Sequence, residues 1–214
     1  MRSVEIGGEA GRLEALLNEG APEARFAAVL CHPHPLGGGT MHNKVVYHAM
    51  KAMNAPEWGV GWPVLRFNFR GTGLSEGAHD GAAEWKDVAA AARWVENEYK
   101  LPVVVTGFSF GAAMALRACC AEGVAAEGVA ALGLPTSAAG RHYAYEFLAG
   151  CSLPKLFLSG DRDEFAPAAE WRRVTDAAAE PKAQIMIQGA DHFFTGHLEA
   201  MQQALKGWLM ERFA

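Results

Sequence analysis

The chain lacks any run of about 18 apolar residues, so no part of it is expected to cross a membrane as a helix. It also lacks clustered basic residues. The longest are pairs such as Arg172-Arg173, and the formal net charge over 214 residues is -5. A surface that follows a phosphate backbone needs grouped Lys and Arg, so nucleic acid is not an expected partner. Cysteine is scarce: the four are Cys31, Cys119, Cys120 and Cys151. The adjacent pair falls in an expected helix, poor geometry for a disulfide framework in a chain this long. An export signal is missing as well, because Glu5 and Glu9 interrupt the N-terminal segment before any apolar stretch. These two absences set the expectation of a cytoplasmic protein. Linkers, internal repeats and low-complexity tracts are absent too, and the length suits one domain, residues 1–214, with a substantial core.

What the chain does have is an alternation of short apolar runs and amphipathic stretches. The runs are Phe26–Cys31, Val64–Phe69, Val103–Thr106, Val129–Leu134, Leu156–Leu158 and Gln184–Ile187. Their β-branched and aromatic content predicts strands buried on both faces, as in a parallel sheet. Shorter alternating segments near Val4–Ile6 and Arg12–Leu17 are expected as antiparallel edge strands. Between the runs, Trp85, Val88, Ala92 and Val95 share one helical stripe, with Glu84, Lys86, Asp87 and Glu96 off it. A second stripe, Leu198, Met201, Leu205, Trp208 and Leu209, should dock the C-terminal helix on the sheet. The expected class is α/β, a mainly parallel twisted sheet with helices on both faces.

One run leads into a motif with chemical content. Val103-Val104-Val105-Thr106 is followed by Gly107-Phe108-Ser109-Phe110-Gly111 and then by an Ala-rich helical stretch. Strand, G-x-S-x-G and helix in that order describe a serine held on a sharp turn above a sheet. The flanking glycines are needed there because side chains would collide with the adjoining backbone. Ser109 is therefore the candidate nucleophile, and the Phe110 N–H behind it a candidate oxyanion donor.

A serine hydroxyl is a weak nucleophile at neutral pH and needs a base, itself oriented by an acid. Where the order is Ser, then Asp or Glu, then His, the histidines late enough are His192 and His197. His192 lies in the loop after the last expected strand and is the better-placed base; His197 begins the final helix. The acid candidates, Asp161 and Asp163, both follow the run ending at Ser159-Gly160, and spacing does not separate them. Asp191, next to His192, would have difficulty turning back on it.

Cys31-His32-Pro33-His34-Pro35-Leu36-Gly37-Gly38-Gly39 follows an early strand and can turn backbone N–H groups toward the nucleophile. Proline has none to offer, so Leu36 is the expected donor and Gly37 the alternative. His32 and His34 form an H-x-H pair, but the interleaved prolines restrict the rings' approach to a metal, so both rings are expected to shape the loop or to be satisfied inside it. The glycines of Arg70-Gly71-Thr72-Gly73-Leu74-Ser75-Glu76-Gly77 have the wrong spacing for a dinucleotide loop and no helix opens directly after them. A structural loop bordering the cleft is expected instead.

With these residues in place, the chain resembles the α/β hydrolases over nearly its whole length. More narrowly it is similar to the small, lidless, dienelactone-hydrolase-like group of bacterial serine hydrolases. The stretch that carries this is His32-Pro33-His34-Pro35-Leu36 through Gly38, Met41 and Asn43-Lys44-Val45-Val46, then Arg70-Gly71-x-Gly73-x-Ser75. The superfamily pattern G-x-x-D-x-x-x-P matches Gly160, Asp163 and Pro167, which implies Asp163 as the acid and His192 as the base. Dienelactone hydrolases proper carry cysteine where this chain has Ser109, so their lactone substrate is not carried over. The resemblance implies Ser-Asp-His chemistry through an acyl-enzyme without fixing a substrate; the expectation is a serine hydrolase cleaving small carboxylic esters or related acyl groups. No metal or organic cofactor is required, and the oligomeric state is not indicated. Thioesterase and small peptidase are the alternatives within the same chemistry, and a non-catalytic ligand-binding member of the fold is the alternative outside it. The interval Pro135 to Lys155 is too short for a lid domain. A shallow site favouring short acyl chains is therefore expected, with Phe108, Phe110, Phe193 and Phe194 as candidates to line it.

Overall fold

The computed structural model describes every residue except Pro56, Trp58, Ala139, Gly140 and Ala214, and of His142 the backbone. Five of the apolar runs become the middle of an eight-stranded sheet; the sixth, Gln184–Ile187, forms its parallel edge and is only partly buried rather than buried on both faces. β1 (Arg2–Gly8) and β2 (Gly11–Asn18) form the antiparallel edge; β3 (Ala27–Cys31), β4 (Val64–Phe67), β5 (Val103–Phe108) and β6 (Gly128–Leu132) follow. After a two-residue pair, β7 (Ser137–Ala138) and β8 (Arg141–His142), come β9 (Lys155–Gly160) and β10 (Lys182–Ile187). The spatial order is β1-β2-β4-β3-β5-β6-β9-β10, antiparallel at β1-β2 and β2-β4 and parallel in every other pair.

Every residue of β3, β5, β6 and β9 is buried, which requires cover on both faces. One face packs on α1 (Lys44–Asn54) and α5 (Leu198–Phe213). The stripe foreseen in α5 supplies Met201, Leu205, Trp208 and Leu209 to that core, with Leu198 at its margin. The other face packs on α2 (Trp85–Tyr99), α3 (Phe110–Leu116) and Trp171 of α4 (Ala168–Asp176). Between β6 and β9 the described residues hold only the β7-β8 pair and a 3-10 turn, Glu146–Gly150; residues 139 and 140 lie outside them. No lid stands there among the described residues.

Two features differ from expectation, and a third, at His32, agrees with it. Asp87, placed off the helical stripe, is fully buried, because it faces Arg70 rather than solvent. Its carboxylate accepts from Arg70 Nη2 at 2.7 Å, from Nε at 3.1 Å and from the Arg70 backbone N–H at 2.9 Å. This pins the segment after β4 to α2. The loop from Gly71 to Gly77 is structural, tied to β2 by Ser75 and Glu76, while the residues just after it border the cleft. Second, Cys120 and Cys151 form a disulfide, with Cα atoms 5.2 Å apart. The helix after α3 widens into a π turn over Arg117–Ala121, and there Cys120 meets Cys151, which follows the 3-10 turn. Adjacency to Cys119 does not prevent this, since only one of the two pairs. Such bonds belong to oxidising compartments, so the cysteine ground for expecting the cytoplasm falls away. Among the described residues no helix is long and apolar enough to cross a membrane.

Third, His32 is a fully buried bracket between two strand ends. Its Nδ1–H donates to the Pro33 carbonyl at 2.6 Å, and its Nε2 accepts from the Phe69 N–H at 3.0 Å. Burial lowers its pKa to about 4. The unfolded chain therefore takes up a proton first. The stability this ring contributes is whole above pH 6.5 and is lost as the pH falls toward 4.

Two outcomes are expected. Asp87→Ala leaves the buried Arg70 with only the exposed Glu9 carboxylate as partner and should cost about 3 kcal/mol in urea unfolding at neutral pH; a loss under about 1 kcal/mol would contradict the pairing. Unfolding free energy should fall by about 3 kcal/mol on account of His32 between pH 6.5 and pH 4, and His32→Asn should flatten that part of the profile.

Candidate active site

The parallel strands end on the same side of the sheet, and their following loops carry the site. Ser109 sits between β5 and α3 with φ 55° and ψ −122°, a strained conformation for a residue with a Cβ. Close backbone contacts enforce it. A Cβ at Gly107 would strike the Gly111 carbonyl, and a Cβ at Gly111 would strike the carbonyls of Cys31 and His32. Ser109 N–H donates to the Leu132 carbonyl at 2.9 Å, fixing the turn to β6.

The structure brings Ser109, His192 and Asp163 into one line. The Ser109 hydroxyl lies 2.9 Å from His192 Nε2, and His192 Nδ1 lies 2.8 and 2.9 Å from the two Asp163 oxygens. A carboxylate only accepts, so Nδ1–H donates to it and Nε2 is left to accept the serine proton. His192 and Asp163 are 2% and 3% exposed, low enough to keep water from competing for these bonds. Phe108, Phe165 and Phe193 surround the imidazole at 5.1, 4.6 and 5.1 Å between ring centroids.

The two aspartates separate cleanly. Asp161 is exposed and its Oδ1 accepts from the Gly189 N–H at 2.7 Å, a bond between the loops after β9 and β10. Asp191 caps its own turn by accepting from the Thr195 N–H. Asp163 is held by two groups that sequence reasoning passed over: the Phe165 N–H donates to Oδ1 at 2.8 Å and the Ser159 hydroxyl to Oδ2 at 3.2 Å. Ser159 was detectable as the polar residue in an otherwise apolar stretch of β9. His197 stands at the start of α5, where its Nδ1 bonds the Thr195 carbonyl.

The oxyanion assignment needs revision on one side. Phe110 is the first residue of α3, so its N–H has no intrahelical acceptor. Leu36 N–H, however, donates to His34 Nδ1 at 3.1 Å, because His34 caps the short turn Pro35–Gly37 with its own ring. Gly37 and Gly39 donate to the His34 carbonyl, and Gly38 to that of Pro35. The one N–H of this loop's His34–Gly39 stretch with no acceptor among the described residues is that of His34.

A cleft of about 620 Å³ opens beside Phe110, walled by His34, Leu36, His79, Arg117 and Tyr143 among others. Of the four phenylalanines expected to line a pocket, Phe110 does so. Phe108 and Phe194 belong to the core, and Phe193 is exposed beside His192.

Residues 26–206 match the family model described as an alpha/beta hydrolase domain. An uncharacterized protein of Rickettsia prowazekii is 34% identical over 98% of this chain and 89% of its own length. Among solved structures, a serine hydrolase without a lid from Xanthomonas campestris is 27% identical, covers 98% of this chain and 94% of its own, and superposes with a TM-score of 0.85. An alpha-beta serine hydrolase homologue from Coxiella burnetii is 32% identical over 96% of both chains, with a TM-score of 0.84. Sheet order, strained serine and these likenesses agree, and the chain belongs to the alpha/beta hydrolase family.

Proposed function

We propose that this chain is a serine hydrolase cleaving carboxylic esters of compact acyl groups, with residues 1–214 acting as one domain. The observation that carries the reading is the continuous line from the Ser109 hydroxyl through His192 to Asp163, at 2.9 and 2.8 Å, on a strained turn.

His192 Nε2 takes the Ser109 proton as the oxygen attacks the acyl carbon. Asp163 stays ionised, holds the imidazole in the required tautomer and stabilises the imidazolium. The carbonyl oxygen becomes an oxyanion facing Phe110 N–H, and the second donor is His34 N–H in place of Leu36 N–H. His192 then passes its proton to the departing alcohol, leaving an acyl-Ser109 ester. Water attacks that ester with His192 again as base, and the proton returns to Ser109 as the acid departs. No step uses a metal or an organic cofactor. Compact acyl groups are proposed because no lid stands between β6 and β9 among the described residues to enclose a long alkyl chain.

A fluorophosphonate probe should label the protein, with the label mapping to Ser109, and Ser109→Ala should lose both labelling and about a million-fold in ester turnover while keeping its fold. Full turnover in that variant would overturn the reading. Asp163→Asn should lose about ten-thousand-fold in kcat because the wrong histidine tautomer is favoured. Asp161→Asn should alter kcat by less than about ten-fold, since only an inter-loop bond is weakened. The reverse ranking would move the acid to Asp161.

A further inference from the structure

A second carboxylate–imidazole pair stands in the cleft wall, apart from the three residues aligned on Ser109. His79 Nδ1 lies 2.6 Å from Glu84 Oε1, and the Glu84 carboxylate is fully buried at the start of α2. The same oxygen accepts from the N–H groups of Asp80 and Gly81, which fixes its position. Two lone pairs cannot face each other at that separation, so Nδ1 carries a proton. With the proton on Nδ1, Nε2 is the nitrogen free to accept. Nδ1 is buried and approaches Glu84 closely without a hydrogen bond of good geometry, and His79 lines the cleft.

His34 lies against this ring, centroids 4.6 Å apart and nearly perpendicular. Its tautomer is the opposite one. Nδ1 accepts from Leu36 N–H, so the proton resides on Nε2, which becomes a donor. Burial, together with the nearby Arg141 guanidinium, lowers the His34 pKa to about 4, so the ring is neutral through the physiological range. Both imidazoles pack on Phe110, at 4.8 and 5.5 Å, the residue whose N–H faces the oxyanion. A donor and an acceptor therefore sit side by side, a few atoms from the reacting carbonyl.

We propose that His34 and His79 form a hydroxyl-binding subsite, so that the preferred substrates are esters bearing a hydroxyl group close to the scissile bond. A hydroxyl is the small group that both accepts, from His34 Nε2–H, and donates, to His79 Nε2. A methyl group at that point leaves both imidazole nitrogens unpaired in a partly dry cleft, which is where polar recognition discriminates most. The proposal rests on the serine hydrolase reading and names its substrate class.

The test compares matched pairs. On the acyl side these are the p-nitrophenyl esters of 3-hydroxybutyrate and 3-methylbutyrate, which exchange a hydroxyl for a methyl of similar size. On the alcohol side they are 2-hydroxyethyl butyrate and propyl butyrate. The wild-type protein should favour the hydroxylated member of one pair by at least about ten-fold in kcat/KM. His79→Phe, which keeps the ring packing and removes Nε2, should bring that ratio close to one. Should His79→Phe not fold, His34→Asn tests the donor half, because an asparagine oxygen can still cap Leu36 N–H. A wild-type ratio near one in both pairs overturns the proposal, as does a ratio that the folded variant leaves intact. Fluorophosphonate labelling of Ser109 runs in parallel. A labelled enzyme with no hydroxyl preference fails this inference alone, while an unlabelled one fails the reading beneath it.

Discussion

The arrangement depends on one close approach of backbone to backbone. The turn after β5 lies so near the end of β3 that no side chain fits at Gly111, and it folds back so tightly that none fits at Gly107; the chain between them passes Ser109 at a positive φ. That strain is retained because the surrounding sheet over-determines it. Ser109 N–H is bonded to β6, and each flanking strand residue is buried. The same approach sets the turn at Ser109 beside the loop after β3, so the proposed nucleophile and oxyanion donors share a single packing constraint.

Around that point the protein controls imidazoles by burial and by what each nitrogen touches. His32 has both nitrogens engaged with backbone and works as a neutral bracket between β3 and β4. His34 is held neutral and caps its own loop. His192 and His79 each face a buried carboxylate through Nδ1, which leaves Nε2 turned outward. Four histidines thus serve different ends although the residue type is the same. The difference lies in the partners: Phe69 and Asp163, distant in sequence, and Leu36 and Glu84, close by.

Much of the fold was readable because burial on two faces leaves continuous apolar runs, and each of the six expected central runs became a strand. Glycine spacing around Ser109 was readable for a similar reason, since steric exclusion acts within five consecutive residues. Asp87 was misplaced because helical periodicity reports an average face and is blind to Arg70, seventeen residues away, which compensates its charge. The Cys120–Cys151 pairing was missed because it depends on the π turn that sets Cys120 toward a segment with no regular periodicity. Leu36 was chosen by eliminating prolines, a valid step that could not see the His34 ring taking up its N–H.

The sequence by itself determined the α/β class, the strand-turn-helix around Ser109 and the loop position of His192, because each rests on local sterics or periodic burial. Between Asp161 and Asp163 it was silent until a family pattern was applied, since both occupy one loop after one strand. Tertiary structure decided how these two aspartates are placed. The loop after β10 draws Asp161 to Gly189 N–H and leaves Asp163 beneath His192, with Ser159 and Phe165 holding its oxygens. It also decided which backbone N–H groups stay open and which side chains wall the cleft. Hydrogen bonds have direction and limited reach, so those outcomes depend on where separate loops meet in space.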